Sequence, residues 1–501
     1  MKPKVILIIC DGWGYRKNPK HNAIASAKKP NFDYLWKKFP HAILEASGEA
    51  IGLPEGQIGT SEANHLVIGS GRIVYQNFLK INHAIKNKSL LLNKAFKEAF
   101  NHVKQFQSTL HIKGLISPGG VHGHIDHIKA LIKEAKNYGV KKIMLHLFTD
   151  GRDVPPKSAL GYLQDLEIFL KTIGVGRIAT IGGRYWGMDR DNNLDRIEKH
   201  FKVMVVGEGP RFKNPIEVIE SSYKKNVIDE FIEPSIIETE EGEIGCIKTN
   251  DAVIFANFRS DRAQQITRRI LKEKISNLKY VSMTKYADDI NIRVAFPPEQ
   301  ITNTLSEVLS KNKYSQLRVT ETEKFTHLTF FFNAQKYEPD PLEERIMIQS
   351  DKEVRTHDEK PEMKIKEITE AIVHAINNHT HDFICTNLVN VDMIGHTGNF
   401  PAIVKAVEAV DRVIGIIVKA TKKNGTNIII MADHGNAEET FDKKTNQPHT
   451  AHTLNPVPFI LISSRYKKIK KTKGLLSDVA PTILKLFDLA VPKDMTGKSL
   501  I

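Results

Sequence analysis

Three apolar runs that stop abruptly at acids and histidines limit what this chain can fold into more than any other feature. Val5-Ile6-Leu7-Ile8-Ile9-Cys10 stops at Asp11-Gly12-Trp13-Gly14. Phe383 to Val389 leads into Asn390-Val391-Asp392-Met393-Ile394-Gly395-His396, and Asn427 to Ala432 leads into Asp433-His434-Gly435-Asn436. Runs without polar alternation and rich in β-branched residues predict strands buried on both faces, the condition of a parallel sheet covered by helices. Between the second and third runs, Ile403, Val407, Val410, Val413, Ile414 and Val418 recur at helical spacing, which predicts a crossover helix over Pro401 to Lys419. Open α/β sheets bind ligands beyond the carboxyl ends of their strands. The released acids and histidines therefore point to one site.

The middle of the chain repeats the pattern with other chemistry. Predicted strands at Leu110 to Ile116, Lys142 to Phe148, Arg177 to Ile181 and Ala252 to Ala256 lead into polar turns, and three of the four turns carry arginine. Helical patterns at Ile125 to Tyr138 and Lys157 to Thr172 lie between them, as βαβ topology requires. A chain of 501 residues, 41% of them hydrophobic, has core enough for two or more domains. If the acidic and histidine ends are to meet, residues 1–75 and 299–501 form one sheet, and 77–297 are an inserted second α/β domain. The expected boundaries lie near Gln76 and near Pro297-Pro298.

A net charge of +14 favours an anionic partner without choosing among nucleic acid, membrane and a small phosphorylated molecule. The dense basic run Arg465 to Lys473 has little aromatic interleaving and reads as a solvated loop, so no nucleic-acid site is expected. Three cysteines, Cys10, Cys246 and Cys385, are odd in number and widely spaced, which fits neither a disulfide framework nor a zinc knuckle and suits a reducing compartment. The first apolar run is shorter than a secretory core and Asp11 follows it directly. No segment is long enough to span a bilayer, so a cytoplasmic protein without a membrane partner is expected.

Gly59-Thr60-Ser61-Glu62-Ala63-Asn64-His65 is the other informative stretch. On local sequence Ser61 reads as a helix N-cap with Glu62 in the first turn. It also reads as a nucleophile, provided that a base or a metal ion activates it. Asp11, Asp392, His396, Asp433, His434 and one of His449 or His452 offer such help: mixed N/O ligation without thiolate suits two divalent ions, manganese, zinc or magnesium. His65, His111, His200 and His327 are read as structural. A second set, Arg152, Arg184, Arg190, Arg259 and Arg262, matches a small substrate with several negative charges. Ion pairs with Asp150, Asp189 or Asp261 are the competing reading for each arginine.

Taken together these stretches resemble the cofactor-independent (2,3-bisphosphoglycerate-independent) phosphoglycerate mutases of the alkaline phosphatase superfamily. The resemblance rests on Asp11 to Gly14, Ser61-Glu62 through Arg72, Gly119 to His122, Asp150 to Asp153, Gly183-Arg184 with Met188 to Arg190, and Asn257 to Arg262. Glu321 to Phe325, Pro361 to Met363, Asp392 to Gly398, Ala432 to Asn436 and Thr450 to Thr453 extend it over essentially the whole chain. It implies an alkaline-phosphatase-like domain built from both chain ends, with a phosphotransferase domain inserted. It further implies that Asp11, Ser61, Asp433 and His434 hold one divalent ion and Asp392, His396 and His452 a second, manganese being favoured and magnesium, cobalt or zinc alternatives. Lys324 would steady the phosphoryl group at Ser61. His122, Arg152, Asp153, Arg184, Arg190, Arg259 and Arg262 would bind glycerate, with Asp153 as general acid–base. The expected reaction is interconversion of 3- and 2-phosphoglycerate through a phosphoserine, by a monomer acting on a small molecule. A metal-dependent phosphatase or phosphopentomutase is the nearest rival, and the arginine set argues against a substrate without a carboxylate. Thr60, Ala63-Asn64 and Pro118 stand where the family more often has asparagine, valine-glycine and an acid.

Overall fold

The computed structural model describes residues 2–422 and 425–501. They divide into two compact units, 1–76 with 300–501, and 77–299. The first is built on an eight-stranded sheet whose spatial order is Glu343–Ile348, Gln316–Glu321, Phe383–Leu388, Val5–Cys10, Asn427–Met431, Val457–Ile462, His41–Glu45 and Lys473–Leu475. The first five strands are mutually parallel, and Val457–Ile462 runs against both of its neighbours. Val5–Cys10, apolar on both faces, sits in the middle with every residue buried. Register then levels the site. Ile9 pairs with Met431 on one side and Asn387 on the other, so Asp11 and Asp433, each two residues further on, leave the sheet side by side.

Helix Phe400–Thr421 covers this sheet, burying Ile403, Val407, Val410, Ile414 and Ile417; each such side chain contributes about 1.5–3 kcal/mol. Its buried Asp411 also accepts from the backbone of Asn31 at 3.2 Å and Phe32 at 2.7 Å. Helix Pro30–Lys38, whose own N-cap Lys29 makes no side-chain cap, is capped in this way from outside. Backbone room matters at Gly12. With φ at +75°, a Cβ there would lie 2.7 Å from Asp392 Cα, so only glycine lets the two strand ends approach. Tyr337 to Lys360, whose charges and prolines predict surface loops, contains the edge strand Glu343–Ile348. An edge strand keeps one side in solvent and tolerates charge, and Arg345 Nε pairs with Glu343 at 2.6 Å.

The second unit carries its own eight-stranded sheet: Arg293–Phe296, Lys279–Thr284, Ala252–Phe255, Leu110–Leu115, Ile143–Thr149, Arg177–Gly183, Ser235–Ile237 and Arg211–Phe212. Only the pair of Arg177–Gly183 with Ser235–Ile237 is antiparallel. Helices Ile125–Asn137 and Ala159–Ile173 connect its parallel strands. Across its interior His111 links Asp251 (3.0 Å) to His146 (2.9 Å), and His146 links on to Thr180 (2.9 Å). This chain satisfies polar groups that would otherwise be stranded in the core.

Candidate active site

In the first unit, five elements deliver polar side chains to the carboxyl edge of the sheet. Strand Val5–Cys10 delivers Asp11, strand Asn427–Met431 delivers Asp433 and His434, and helix Asn390–Gly395, after Phe383–Leu388, carries Asp392. Lys324 lies on the short helix Thr322–Thr326 that follows Gln316–Glu321, and Ser61 opens helix Ser61–Ser70. The cap of that last helix is Thr60, whose hydroxyl accepts from Ala63 N at 3.3 Å. Ser61 is therefore not the cap. Its Oγ lies 2.6 Å from Lys324 Nζ and 2.8 Å from His434 Nε2.

Three fully buried carboxylates crowd this edge. Lys324 Nζ donates to Asp11 at 2.9 Å and to Asp392 at 2.7 Å. Burial opposes their ionisation, but the ammonium together with the neighbouring imidazoles outweighs it and both carboxyls sit below the usual range. Among the described residues no ammonium forms an ion pair with Asp433. Burial, followed by the Asp11 charge, pushes its carboxyl well above the usual range, and its Oδ2 is buried without a hydrogen bond. Burial alone would keep His452 neutral, yet Asp392 at 3.2 Å draws its pKa up to about 9. Carboxylates gathered in this way demand more positive charge than Lys324 supplies.

The imidazoles are turned to meet that demand. His396 Nδ1 donates to Thr450 O at 2.7 Å and His452 Nδ1 to Gly59 O at 2.8 Å, which leaves each Nε2 free to face Asp392, at 3.3 and 3.2 Å. A carbonyl fixing one ring nitrogen so that the other can ligate is the usual arrangement at metal centres. Two groups have ligand atoms within 4.8 Å of one another: Asp11, Asp433 and His434, and Asp392, His434 and His452. Both fit divalent cations that take mixed N/O ligands. Neither His449 nor His396, the latter expected with Asp392 and His452, belongs to either group.

In the second unit the arginines gather at strand ends around acids. Arg184, 2% exposed, holds Asp150 at 2.6 Å and Asp153 at 2.5 Å, while Asp150 also accepts from the backbone of Arg152 and Asp153. Asp261 takes Arg190 at 3.3 Å and Arg259 at 3.1 Å and lies 3.6 Å from His122. Arg152 reaches Glu230 at 3.4 Å, and Arg262 donates to Met188 O at 3.1 Å. Ion pairs, the competing reading for each arginine, thus form at Arg152, Arg184, Arg190 and Arg259. Burial and then Arg184, Arg190 and Arg152 depress Arg262; burial and then Arg184 take His122 down to about 4.

Residues 81–288 match the family model described as BPG-independent PGAM N-terminus, and residues 293–473 match Type I phosphodiesterase / nucleotide pyrophosphatase. The 2,3-bisphosphoglycerate-independent phosphoglycerate mutase of Clostridium botulinum (strain Langeland) is 47% identical over 100% of this chain and 99% of its own. This chain is a member of that mutase family. The Clostridioides difficile (strain 630) enzyme of the same name is 46% identical over the same shares. Leishmania mexicana phosphoglycerate mutase, solved at low cobalt concentration, superposes with a TM-score of 0.55 at 29% identity, over 100% of this chain and 98% of that one.

Sequence reasoning passed over several residues that this mutase chain places around the metal-competent groups. Asn387 Nδ2 donates to Asp11 at 2.6 Å and Asn436 Nδ2 to Asp392 at 3.1 Å. Glu438, fully buried, accepts from Asn436 N at 2.9 Å, from Asn455 at 3.0 Å and from the Thr453 hydroxyl. Asn64, where the family more often has glycine, donates to Asp433 O at 2.7 Å and Ala46 O at 3.0 Å. Asn436, standing beside His434, was the one with a readable signal. The others depend on contacts between distant strands.

Proposed function

We propose that Ser61 is the group through which this phosphoglycerate mutase converts 3-phosphoglycerate to 2-phosphoglycerate, without 2,3-bisphosphoglycerate. In the first half, the bond from Ser61 Oγ to phosphorus forms as that from phosphorus to the 3-oxygen breaks. Ser61 gives its proton to bulk water, which returns one when Ser61 is released, and the 3-oxygen gains one from Asp153. In the second half, Asp153 takes the proton of the 2-hydroxyl, whose oxygen attacks the phosphoserine and releases Ser61. Lys324 steadies the phosphoryl group throughout. The observation that carries this reading is the Ser61 hydroxyl held between Lys324 Nζ and His434 Nε2.

Asp11, Ser61, Asp433 and His434 would hold one divalent ion and Asp392, His396 and His452 the other, manganese being our choice over magnesium, cobalt or zinc. Bound there, such ions lower the cost of ionising a serine hydroxyl and stabilise phosphoryl oxygens. His122, Arg152, Asp153, Arg184, Arg190, Arg259 and Arg262 keep glycerate from leaving, which raises its effective concentration against water. We assign the phosphoserine chemistry to residues 1–75 and 299–501 and glycerate binding to 77–297. No described helix is long and apolar enough to cross a membrane. We read the enzyme as a cytoplasmic monomer acting on a small molecule, with no nucleic-acid or membrane partner; its three free, buried cysteines suit a reducing compartment.

The test is direct. Purified protein with manganese interconverts the two phosphoglycerates with no 2,3-bisphosphoglycerate added, and Ser61→Ala abolishes transfer while leaving the fold intact. Inorganic phosphate as the main product overturns the mutase reading, and activity retained in Ser61→Ala removes Ser61 from the mechanism.

A further inference from the structure

His65 stands one helical turn beyond Ser61 and is wholly buried. Its Nδ1 lies 2.9 Å from the Ser61 carbonyl oxygen and 3.5 Å from Asp433 Oδ2. On the other side of the ring, Nε2 lies 3.2 Å from Asn387 Nδ2, the same amide nitrogen that donates to Asp11 Oδ2. These contacts admit one protonation pattern. An amide nitrogen offers only hydrogens, so Nε2 presents its lone pair and Nδ1 carries the proton. Turning the amide over would set the Asn387 oxygen against the Asp11 carboxylate, so charge fixes its orientation. The Nδ1–H then points at the Ser61 carbonyl, with Asp433 Oδ2, which has no hydrogen bond, 3.5 Å away.

We propose that His65 is a positioning residue of this mutase: with Asn387 it ties the Ser61 backbone to Asp11 and Asp433, and so sets where the nucleophile sits among the carboxylates. Asp11 and Asp433 come from adjacent strands and share a ladder. Ser61 comes from a helix and does not belong to that ladder. Beside the Asn64 bond to Asp433 O and the Lys324 bridge, one imidazole and one amide, both buried, link the Ser61 backbone to Asp11. Partners that orient ligating groups in this way typically matter about 10–100-fold for metal affinity or activity. The inference rests on Ser61 being the nucleophile and Asp11 and Asp433 being metal ligands.

His65→Phe keeps an aromatic ring while removing both hydrogen bonds. Its kcat should fall about tenfold or more, and its manganese dissociation constant, measured by competition with a chelator, should rise about tenfold or more, with KM for 3-phosphoglycerate nearly unchanged. His65→Asn, whose amide nitrogen can occupy the place of Nδ1, should restore most of both. A His65→Phe protein that is only less stable, with wild-type kcat and manganese affinity, overturns the proposal. Since that variant can fail to fold, the wild-type enzyme supplies an independent reading. Ring-nitrogen NMR of histidine-labelled, metal-free protein should show His65 as the neutral Nδ1–H tautomer, and the Nε2–H tautomer overturns the proposal whatever the variants do. Ser61→Ala, run alongside, separates the two ideas: transfer retained there defeats the nucleophile, while the tautomer and the manganese affinity still decide His65.

Discussion

Lys324 Nζ lies 2.6 Å from Ser61 Oγ. The same ammonium bridges Asp11 and Asp392, so one buried cation touches the proposed nucleophile and two of the three carboxylates around it. Burial disfavours its charge, but Asp11 and then Asp392 hold its pKa above the ordinary lysine value. It therefore stays charged through the working pH range. Charge fixed where phosphoryl oxygens gather is worth about 10²–10³ in rate when one such donor is removed. Lys324→Ala should lower kcat by about that factor while circular dichroism stays unchanged, with turnover of 3-phosphoglycerate as the measurement.

Arg184 is the most deeply committed of the arginines, with Asp150 and Asp153 both on its Nη1. Breaking a buried pair strands charge, at a cost of about 3–5 kcal/mol. Arg184→Ala should lose about that much stability in urea unfolding. Its KM for 3-phosphoglycerate should rise as well, because Asp153 loses the partner that orients it. A variant with wild-type stability and KM would separate Arg184 from both roles.

Much of the first sheet could be read from the chain because Val5–Cys10, Phe383–Leu388 and Asn427–Met431 are apolar on both faces, a pattern that charge and turn chemistry cannot imitate. The acids follow those strands by one to a few residues, so strand and acid come as one signal. Glu343–Ile348 escaped because an edge strand has to bury only one side and carries glutamates and an arginine. Thr60 and Ser61 are both hydroxyl residues at a helix start, and sequence alone does not say which caps and which reacts. For His65 the reason is distance: its partner Asn387 is 322 positions away, and an isolated histidine in a helix looks structural.

Glu321 predicts a pH dependence away from the metal-competent groups. It is fully buried, with Oε1 accepting from Lys364 N at 2.8 Å and Oε2 from the Ser350 hydroxyl at 2.9 Å. Burial, chiefly, raises its pKa from 4.5 to about 7. The folded state thus holds a proton that the unfolded state has released. This contribution is fully present below pH 4.5 and is lost as pH rises to about 7; a shift of this size corresponds to about 3 kcal/mol. Glu321→Gln keeps the shape and removes the titration. Urea unfolding should show the variant more stable than the parent at pH 8, with the difference shrinking towards pH 5.

His452 and His449 make the sharpest metal test because they are three residues apart and differ in orientation. His452 Nδ1 is held by Gly59 O, so Nε2 faces Asp392, and its ring stacks on His434 with centroids 3.7 Å apart. His449 takes part in neither group of ligand atoms. Saturating manganese at about 100 times its dissociation constant should stabilise the folded protein by about 2.7 kcal/mol per site, and dialysis against EDTA should remove that gain. His452→Ala should lose one of the two bound ions in elemental analysis, and with it part of the manganese-dependent rise in Tm. His449→Ala should keep both ions and the full rise. The reverse result would hand the ligand role to His449 and require the loop from Gln447 to Thr453 to turn over when metal binds.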